Sequence, residues 1–183
     1  MDVTVLGVLE ISSIAAGIET MDRMVKAAPV RIVEAKTVCP GKFVITVTGD
    51  VASVDAALSA GRKTAAGYIV DELFIPNLHK GVMPAINNEV NCAIWDAIGV
   101  IECFSVVASI EAGDIAAKTA GVLLTEIRLG TGIAGKSYVK MIGDIHDVEA
   151  AMMRASANIR AKGLLCKDVI VPQPHTDIRP FFL

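Results

Sequence analysis

The chain has 183 residues, of which 53% are hydrophobic and only 4% aromatic, and its formal net charge is −3. This mildly acidic balance gives no electrostatic basis for nucleic-acid binding, and no apolar run reaches the roughly 18–20 residues that a membrane-spanning helix needs. The mean hydropathy of +0.55 is high for a small monomer with a polar exterior, so we expect several chains to associate.

The cysteine pattern and the first residues favour a reduced, cytoplasmic protein. The opening Met-Asp-Val-Thr lacks the basic region of a signal peptide. The cysteines form no close pairs, which indicates neither a disulfide framework nor a zinc knuckle. Cys39 lies in a Gly/Pro turn, and we expect the other three to behave as small hydrophobic residues: Cys92, Cys103 and Cys166.

The sequence is an internal repeat. Residues 6–10, Leu-Gly-Val-Leu-Glu, return at residues 98–102 as Ile-Gly-Val-Ile-Glu. The other recurring features, first repeat and then second, are Asp22-x-x-x-Lys26 and Asp114-x-x-x-Lys118, Gly41-Lys42 and Gly135-Lys136, Gly49-Asp50 and Gly143-Asp144, and Pro76 with His79 and Pro172 with His175. Such a repeat indicates one supersecondary unit used twice, so we expect function where the repeats differ. The largest chemical difference is Cys39.

Each repeat predicts the element order β-α-β-β-α-β, the split βαβ arrangement. The elements of the first repeat are a strand over 3–10, a helix capped by Ser12 or Ser13 with an apolar stripe of Ile14, Ile18, Met21 and Val25, strands over 31–38 and 43–48, a helix capped by Asp50, and a strand over 68–75. The second repeat follows from 97 to 171, with a longer loop between its middle strands and a longer second helix. We predict an α+β fold of two tandem ferredoxin-like domains, 3–86 and 96–183, joined by a linker, 87–95.

These motifs together resemble the tandem-domain shell proteins of bacterial microcompartments. The matching features are the Gly-Val-Leu-Glu strand, the Asp-x-x-x-Lys helix, the Gly-Lys hairpin, the Gly-Asp cap and the terminal Pro-x-x-His, all present in the chain. The resemblance implies a homotrimer that forms a flat pseudohexameric tile. It also implies a structural protein, not an enzyme, that assembles with other shell proteins in a microcompartment shell in the cytoplasm.

The two hairpin loops resemble those of a tandem type that carries an iron–sulfur cluster. The resemblance implies that Cys39 from three chains holds one [4Fe–4S] cluster, which relays electrons across the shell, with an internal or cytosolic redox enzyme as a partner. It also implies the following pore lining: Cys39, Pro40, Gly41, Lys42, Thr131, Gly132, Ile133, Ala134 and Gly135.

The chemistry of the first loop is compatible with that role. One cysteine cannot hold a cluster, whereas a threefold axis brings three thiolates together. We expect Gly41 to permit a tight turn whose N–H groups face the cluster sulfides, and Lys42 to offset the thiolate charge and lower the thiol pKa. Thr131, near the corresponding place in the second repeat, is no soft-metal ligand, so three sites and not six would surround the pore.

The residues leave two other interpretations open. In the first, the protein is a shell tile whose open pore conducts a small metabolite, with Cys39 free and no cofactor. In the second, it is a trimeric ferredoxin-like sensor that binds a small ligand between subunits.

Four basic or titratable side chains recur at matching positions in both repeats. Lys26 and Lys118 are helix lysines, which the resemblance places at the tile edge, where neighbouring tiles meet. His79 and His175 follow the last strand of each repeat, and their recurrence favours an edge or interface position over catalysis.

Two patterns that suggest other chemistry have simpler explanations. His146 lies between acidic residues, but it falls in the first turn of a predicted helix, where Asp144 serves as a cap. The glycines Gly130, Gly132 and Gly135 superficially fit a dinucleotide-binding fingerprint. They lie between two predicted strands and do not open a helix, so the fingerprint is rejected.

Overall fold

The computed structural model describes residues 3–183, which divide into two compact units. The first unit comprises residues up to 80 together with the loop segment 130–135. The second comprises residues 81–129 and 136–183. Most of the second repeat's middle loop therefore packs with the first unit.

The first unit is a four-stranded antiparallel sheet with two helices. Its elements are β1 (Leu6–Ile11), α1 (Ile14–Ala27), β2 (Arg31–Val38), β3 (Lys42–Thr48), α2 (Val51–Thr64) and β4 (Ile69–Ile75). The strand order is β2-β3-β1-β4, with every neighbouring pair antiparallel. The predicted β-α-β-β-α-β order is confirmed.

Side-chain caps start both helices of this unit. The Ser13 hydroxyl accepts a hydrogen bond from the Ala16 N–H, 3.3 Å away, and the Asp50 carboxylate accepts one from the Ser53 N–H at 2.8 Å. Each cap satisfies a backbone donor that the first helical turn leaves without an intrahelical partner. The predicted helix starts are therefore confirmed at residue resolution.

Of the apolar stripe predicted for α1, only the half-buried Met21 packs against the core. Ile14, Ile18 and Val25 are exposed, Ile18 by 53%, whereas the buried face of α1 carries Gly17, Thr20 and Met24. The absence of a side chain at Gly17 lets the helix lie close against the sheet, because a Cβ there would lie 2.6 Å from the Phe43 side chain. Ile14, Ile18 and Val25 point away from it.

The second unit repeats the arrangement with additional elements. They are α3 (Val82–Asn87), β5 (Ala97–Cys103), α4 (Val106–Thr119), β6 (Leu123–Arg128), β7 (Ser137–Gly143), α5 (Ile145–Ala161), β8 (Leu165–Val171), a 3₁₀ turn (Thr176–Ile178) and α6 (Arg179–Phe182). The strand order is β6-β7-β5-β8. The second long helix has 17 residues in this repeat and 14 in the first, as predicted.

The start of the second unit differs from the predicted domain boundary after residue 86. Helix α3 packs against β6 and α4 of the second unit. Its Val82 and Ala85 are fully buried. Burial of these apolar side chains fixes the segment to the second unit, a long-range contact that the repeat pattern does not encode.

The predicted linker packs against the C-terminal segment. The Trp95 indole N–H donates to the Pro174 carbonyl at 3.1 Å, and the Trp95 and Phe182 rings meet edge to face at 6.1 Å. The Arg179 guanidinium lies 5.9 Å from the Trp95 ring and donates to the Ala93 carbonyl at 3.0 Å. Residues 92–95 and the C-terminal segment are therefore one packed feature.

None of the helices in residues 3–183 is long and apolar enough to cross a membrane.

Candidate functional site

Cys39 lies in the hairpin loop between β2 and β3. Val38 pairs with Lys42 in the strand register, and the Gly41 N–H donates to the Val38 carbonyl at 3.0 Å, which closes the turn. The Cys39–Pro40 peptide bond is cis, and Gly41 has a φ of +94°. Cys39 is half-buried, whereas Pro40 and Gly41 are exposed. Cys39 therefore lies at the exposed end of a closed hairpin turn.

The loop between β6 and β7 lies directly beside this hairpin, within the first unit. The Cys39 N–H donates to the Gly130 carbonyl at 3.2 Å. Gly130 and Gly135 are buried, whereas the residues between them are exposed or half-buried. Segments 39–41 and 130–135, here called the paired loops, thus form one cluster within a single chain.

The backbone N–H groups of the first loop and the Lys42 ammonium have partners within the chain, which differs from their expected roles toward a cluster. The N–H groups of Cys39 and Gly41 are taken by carbonyls of the paired loops and of Val38, so they hold the loop in place. The Lys42 ammonium pairs with the carboxylate of Glu10, which is fully buried. A buried carboxylate needs a cationic partner. The charge of Lys42 therefore balances that of Glu10 and stabilises the folded chain.

The second repeat contains the same ion pair in a more exposed form. The Lys136 ammonium lies 2.6 Å from a carboxylate oxygen of Glu102. This hydrogen bond holds the pKa of Glu102 below its ordinary value and raises the pKa of Lys136. Because the pair recurs in both repeats, it belongs to the fold.

Cys166 lies beside this second pair, on β8. Desolvation, and then the neighbouring Glu102 carboxylate, raise the pKa of the Cys166 thiol. A raised pKa disfavours the thiolate, which is the form that ligates metals. Cys166 is half-buried beside charged groups, unlike the small hydrophobic residue that was expected, whereas Cys103 is fully buried.

Lys26 and Lys118 occupy matching positions near the ends of α1 and α4. Lys26 pairs with Asp22 at 2.7 Å, and Lys118 pairs with Asp114 at 2.5 Å, each one helical turn away. The Lys26 side chain is 67% exposed and that of Lys118 39%. Both ammonium groups can therefore be reached from outside, and their place at a tile edge stays a prediction.

The two recurring histidines lie beyond the last strand of each repeat. His79 is half-buried. His175 is exposed, and its ring nitrogen accepts a hydrogen bond from the Asp177 N–H at 3.2 Å, which caps the turn before α6. Their predicted role in edge contacts stays a prediction.

The capping interpretation of His146 is confirmed. Its side chain is 88% exposed at the start of α5, and Asp144 accepts from its backbone N–H at 2.9 Å. Within residues 3–183, no group of three or more His, Cys, Asp or Glu side chains lies close enough to hold a metal ion. The glycines lie between strands β6 and β7, as predicted, and the loop does not open a helix.

Comparison with known proteins decides the family. Residues 5–78 and 97–174 both match the family model of the BMC domain. The chain belongs to the BMC-domain family. This tandem BMC-domain protein is similar to the bacterial microcompartment shell protein PduT of Citrobacter freundii, with 41% identity over 93% of this chain and 92% of PduT. It is also 33% identical to the shell protein PduA of the same organism, over 45% of this chain and 87% of PduA.

Solved structures show the same relationship. A microcompartment protein from Desulfitobacterium hafniense superimposes with a TM-score of 0.86 and 41% identity, covering 97% of this chain and 99% of that one. A fused, permuted hexameric shell protein of the RMM microcompartment, at 19% identity, shares the fold with a TM-score of 0.65 over 85% of this chain and 81% of its own. The tandem BMC-domain protein is thus a structural component of a bacterial microcompartment shell in the cytoplasm.

Sequence reasoning identified Cys39 and both loops but missed their contact within one chain. The available signal was the longer second loop, with Glu126 and Lys136 two residues further apart than Glu34 and Lys42. The extra length lets the segment reach the Cys39 hairpin.

Proposed function

We propose that this shell protein is a trimeric tile whose Cys39 thiolates, one from each of three chains, hold a [4Fe–4S] cluster that carries electrons across the shell. The observation that carries the proposal is the position of Cys39 at the exposed end of a hairpin fixed by the paired loops. A thiol presented in this way is accessible to the thiols of neighbouring chains. Three such thiols supply the soft ligands that iron–sulfur clusters require.

The surroundings of Cys39 fit a bulky group. A Cβ added to Gly41 would meet no atom within 4 Å, so the space over the turn is open. In the second loop, the residue near the position that corresponds to Cys39 is the exposed Thr131, and its hydroxyl is a poor ligand for iron. The ligand set therefore comes from the first repeat alone, one thiolate per chain, and the fourth iron takes a non-protein ligand or a partner's thiol.

The cluster, when bound, would supply one-electron transfer between the two sides of the shell. Cys39 would hold it, and the hydrogen bonds of Cys39 and Gly41 keep the ligand hairpin in one conformation. Rigid support of this kind lowers the conformational cost of assembling ligands from separate chains.

The exposed face of α1 supports association of chains. Ile14, Ile18 and Val25 form a row of exposed apolar side chains on one helix. Large apolar side chains in a row on a helix are typical of surfaces that become buried by a partner. We infer that this face contacts neighbouring domains in a trimer, and that the trimer assembles with other shell proteins into a facet.

Iron and acid-labile sulfide assays on anaerobically purified protein test the proposal. We expect about four irons and four sulfides for every three chains. The variant Cys39→Ala should lose both without a change in assembly size. The matched control Cys92→Ala, which removes another half-buried cysteine, should retain them.

The alternatives give distinct outcomes in the same experiment. Iron retained in Cys39→Ala contradicts the proposed ligand. Protein without iron in both forms contradicts the cluster and favours a tile whose open pore conducts a metabolite. A discrete trimer that binds a small molecule and forms no sheets at high concentration favours the sensor.

A further inference from the structure

Gly135 of the second repeat lies directly behind the Cys39 hairpin. It is buried, and a Cβ at this position would lie 2.5 Å from the Cys39 carbonyl oxygen and 2.8 Å from Cδ of Pro40. Separations this short between non-bonded heavy atoms require the backbone to move. The absence of a side chain at Gly135 is therefore what allows the two segments to touch.

A hydrogen bond fixes the same contact from the other end of the loop. The Cys39 N–H donates to the Gly130 carbonyl at 3.2 Å, and Gly130 is also buried. Cys39 is thus hydrogen-bonded on its N–H side to Gly130, and its carbonyl side packs closely against Gly135. Both peptide groups that flank the thiol therefore contact a loop of the other repeat.

The loop contains a matched position that lacks the contact. Gly132 has a φ of +78° and Gly135 a φ of +79°, so alanine costs similar backbone strain at either position. A Cβ at Gly132 would meet nothing within 4 Å, and Gly132 is exposed. The two glycines therefore differ in whether they support Cys39.

We propose that the second-repeat loop, residues 130–135, positions the Cys39 thiol, with Gly135 as the positioning residue. The second repeat has no cysteine in its hairpin, and its loop instead orients the cysteine of the first. The inference concerns the thiol itself, and its consequence for cluster assembly rests on the proposed function.

Alkylation of Cys39 in cluster-free protein measures this positioning directly. Iodoacetamide labelling, followed site by site by peptide mass mapping, should be faster at Cys39 in Gly135→Ala by about threefold or more, because a displaced hairpin samples open conformations. In Gly132→Ala the rate should stay within about twofold of the wild type. Labelling of half-buried Cys92 and of buried Cys103 should not change in either variant, which separates a local effect from general loss of stability.

Iron content and the electron paramagnetic resonance spectrum supply a second readout. After anaerobic reconstitution, Gly135→Ala should bind less than about half the iron of the wild type, whereas Gly132→Ala should match it. After one-electron reduction of the cluster by dithionite, Gly135→Ala should also show altered g-values and Gly132→Ala should not. Equal Cys39 labelling rates in the two variants would overturn the inference. Wild-type protein that binds no iron would overturn the proposed function, and the labelling comparison would still decide this inference.

Hydrogen exchange in the wild type covers the case in which Gly135→Ala does not fold. The Cys39 amide should exchange much more slowly than the amides of exposed Gly132 and Ala134, because it donates to Gly130. Exchange of the Cys39 amide at the rate of those exposed amides would overturn the inference.

Discussion

Ala134 occupies a backbone conformation that suits glycine. Its φ is +55°, in the left-handed region that a Cβ makes unfavourable, and it lies in an exposed part of the second loop. The sequence shows alanine here without showing its conformation. Position 134 is therefore a source of local strain beside the candidate ligand.

The variant Ala134→Gly should be more stable than the wild type by up to about 1 kcal/mol, since it removes the left-handed Cβ penalty. The measurement is the midpoint of urea denaturation. Ala157→Gly is the control, because it makes the same chemical change at an exposed position inside α5. It should lower stability by about 1 kcal/mol, and a loss of stability in both variants would contradict the argument.

At the scale of single residues, the resemblance of the first hairpin loop singled out Cys39 as a candidate ligand, and that role stays a prediction. The turn itself follows from the local Pro-Gly pattern, whereas the contacts that hold it were not predicted. The partners of Lys42 and of the Cys39 N–H are distant in sequence: Glu10 lies on another strand and Gly130 in the other repeat. Local pattern gives no information on such pairings, which arise only when the chain folds.

Helices and strands whose bounds depend on nearby residues, such as capping side chains and turn residues, were predicted correctly from the sequence. Ser13 and Asp50 start helices where capping chemistry requires, and the strands of both repeats occur in the expected order. For α1 the sequence predicted an apolar stripe, but apolar periodicity does not show whether the core or another chain covers it, and most of this stripe is exposed. Helix α3 and the C-terminal segment depend on contacts that have no counterpart in the other repeat.

The cap at Asp50 should make stability depend on pH. Hydrogen bonds from the Ser53 hydroxyl and N–H hold the pKa of Asp50 below its usual 3.8. Because the folded-state pKa is lowered, the stabilisation is complete above the unfolded-state pKa, near 3.8, and is lost as the pH falls from there through the folded-state pKa. Asp50→Asn keeps a capping side chain but cannot titrate. Between about pH 4 and pH 2 the wild type should lose more stability than this variant in urea titrations, and parallel pH profiles would contradict the assignment.

The C-terminal segment can be followed through Trp95, the single tryptophan of the chain. Arg179→Ala removes the stacking on the Trp95 ring and the hydrogen bond to the Ala93 carbonyl. We expect a red shift of the tryptophan emission and a loss of about 1 kcal/mol of stability. Arg154→Ala, an exposed position on α5, is the control. An unchanged emission spectrum in Arg179→Ala would show that the segment is not held by this contact.

For the whole molecule, the repeat explains how one chain supplies two similar tile units with one chemical difference. The ion pairs Glu10–Lys42 and Glu102–Lys136 and the helix pairs at Lys26 and Lys118 are common to both repeats. The cysteine hairpin occurs once. Because Cys39 is present in only one of the two repeats, a trimer of this chain has three equivalent hairpin thiols. A hexamer of six identical domains would have either six such thiols or none.

The shared lysines are predicted to act in assembly. The double variant Lys26→Ala, Lys118→Ala loses one exposed ion pair, Lys26–Asp22, which contributes about 0–1 kcal/mol. It also loses the Lys118–Asp114 pair, whose carboxylate is buried, so this second loss should cost more stability than the first. It should form far fewer sheets in electron micrographs while keeping the size of the discrete oligomer. Lys63→Ala on α2, also an exposed helix lysine, should form sheets normally. Normal sheets in the double variant would remove the lysines from the tile edge.

Native mass spectrometry of anaerobically purified protein tests the central claim most directly, because it reports chain number and cofactor together. The predicted species has the mass of three 19.2 kDa chains plus one cluster of four irons and four sulfides, and Cys39→Ala gives three chains without that addition. A wild-type trimer with no added mass would contradict the cluster. A wild-type monomer or dimer would contradict the symmetry on which the ligand set depends.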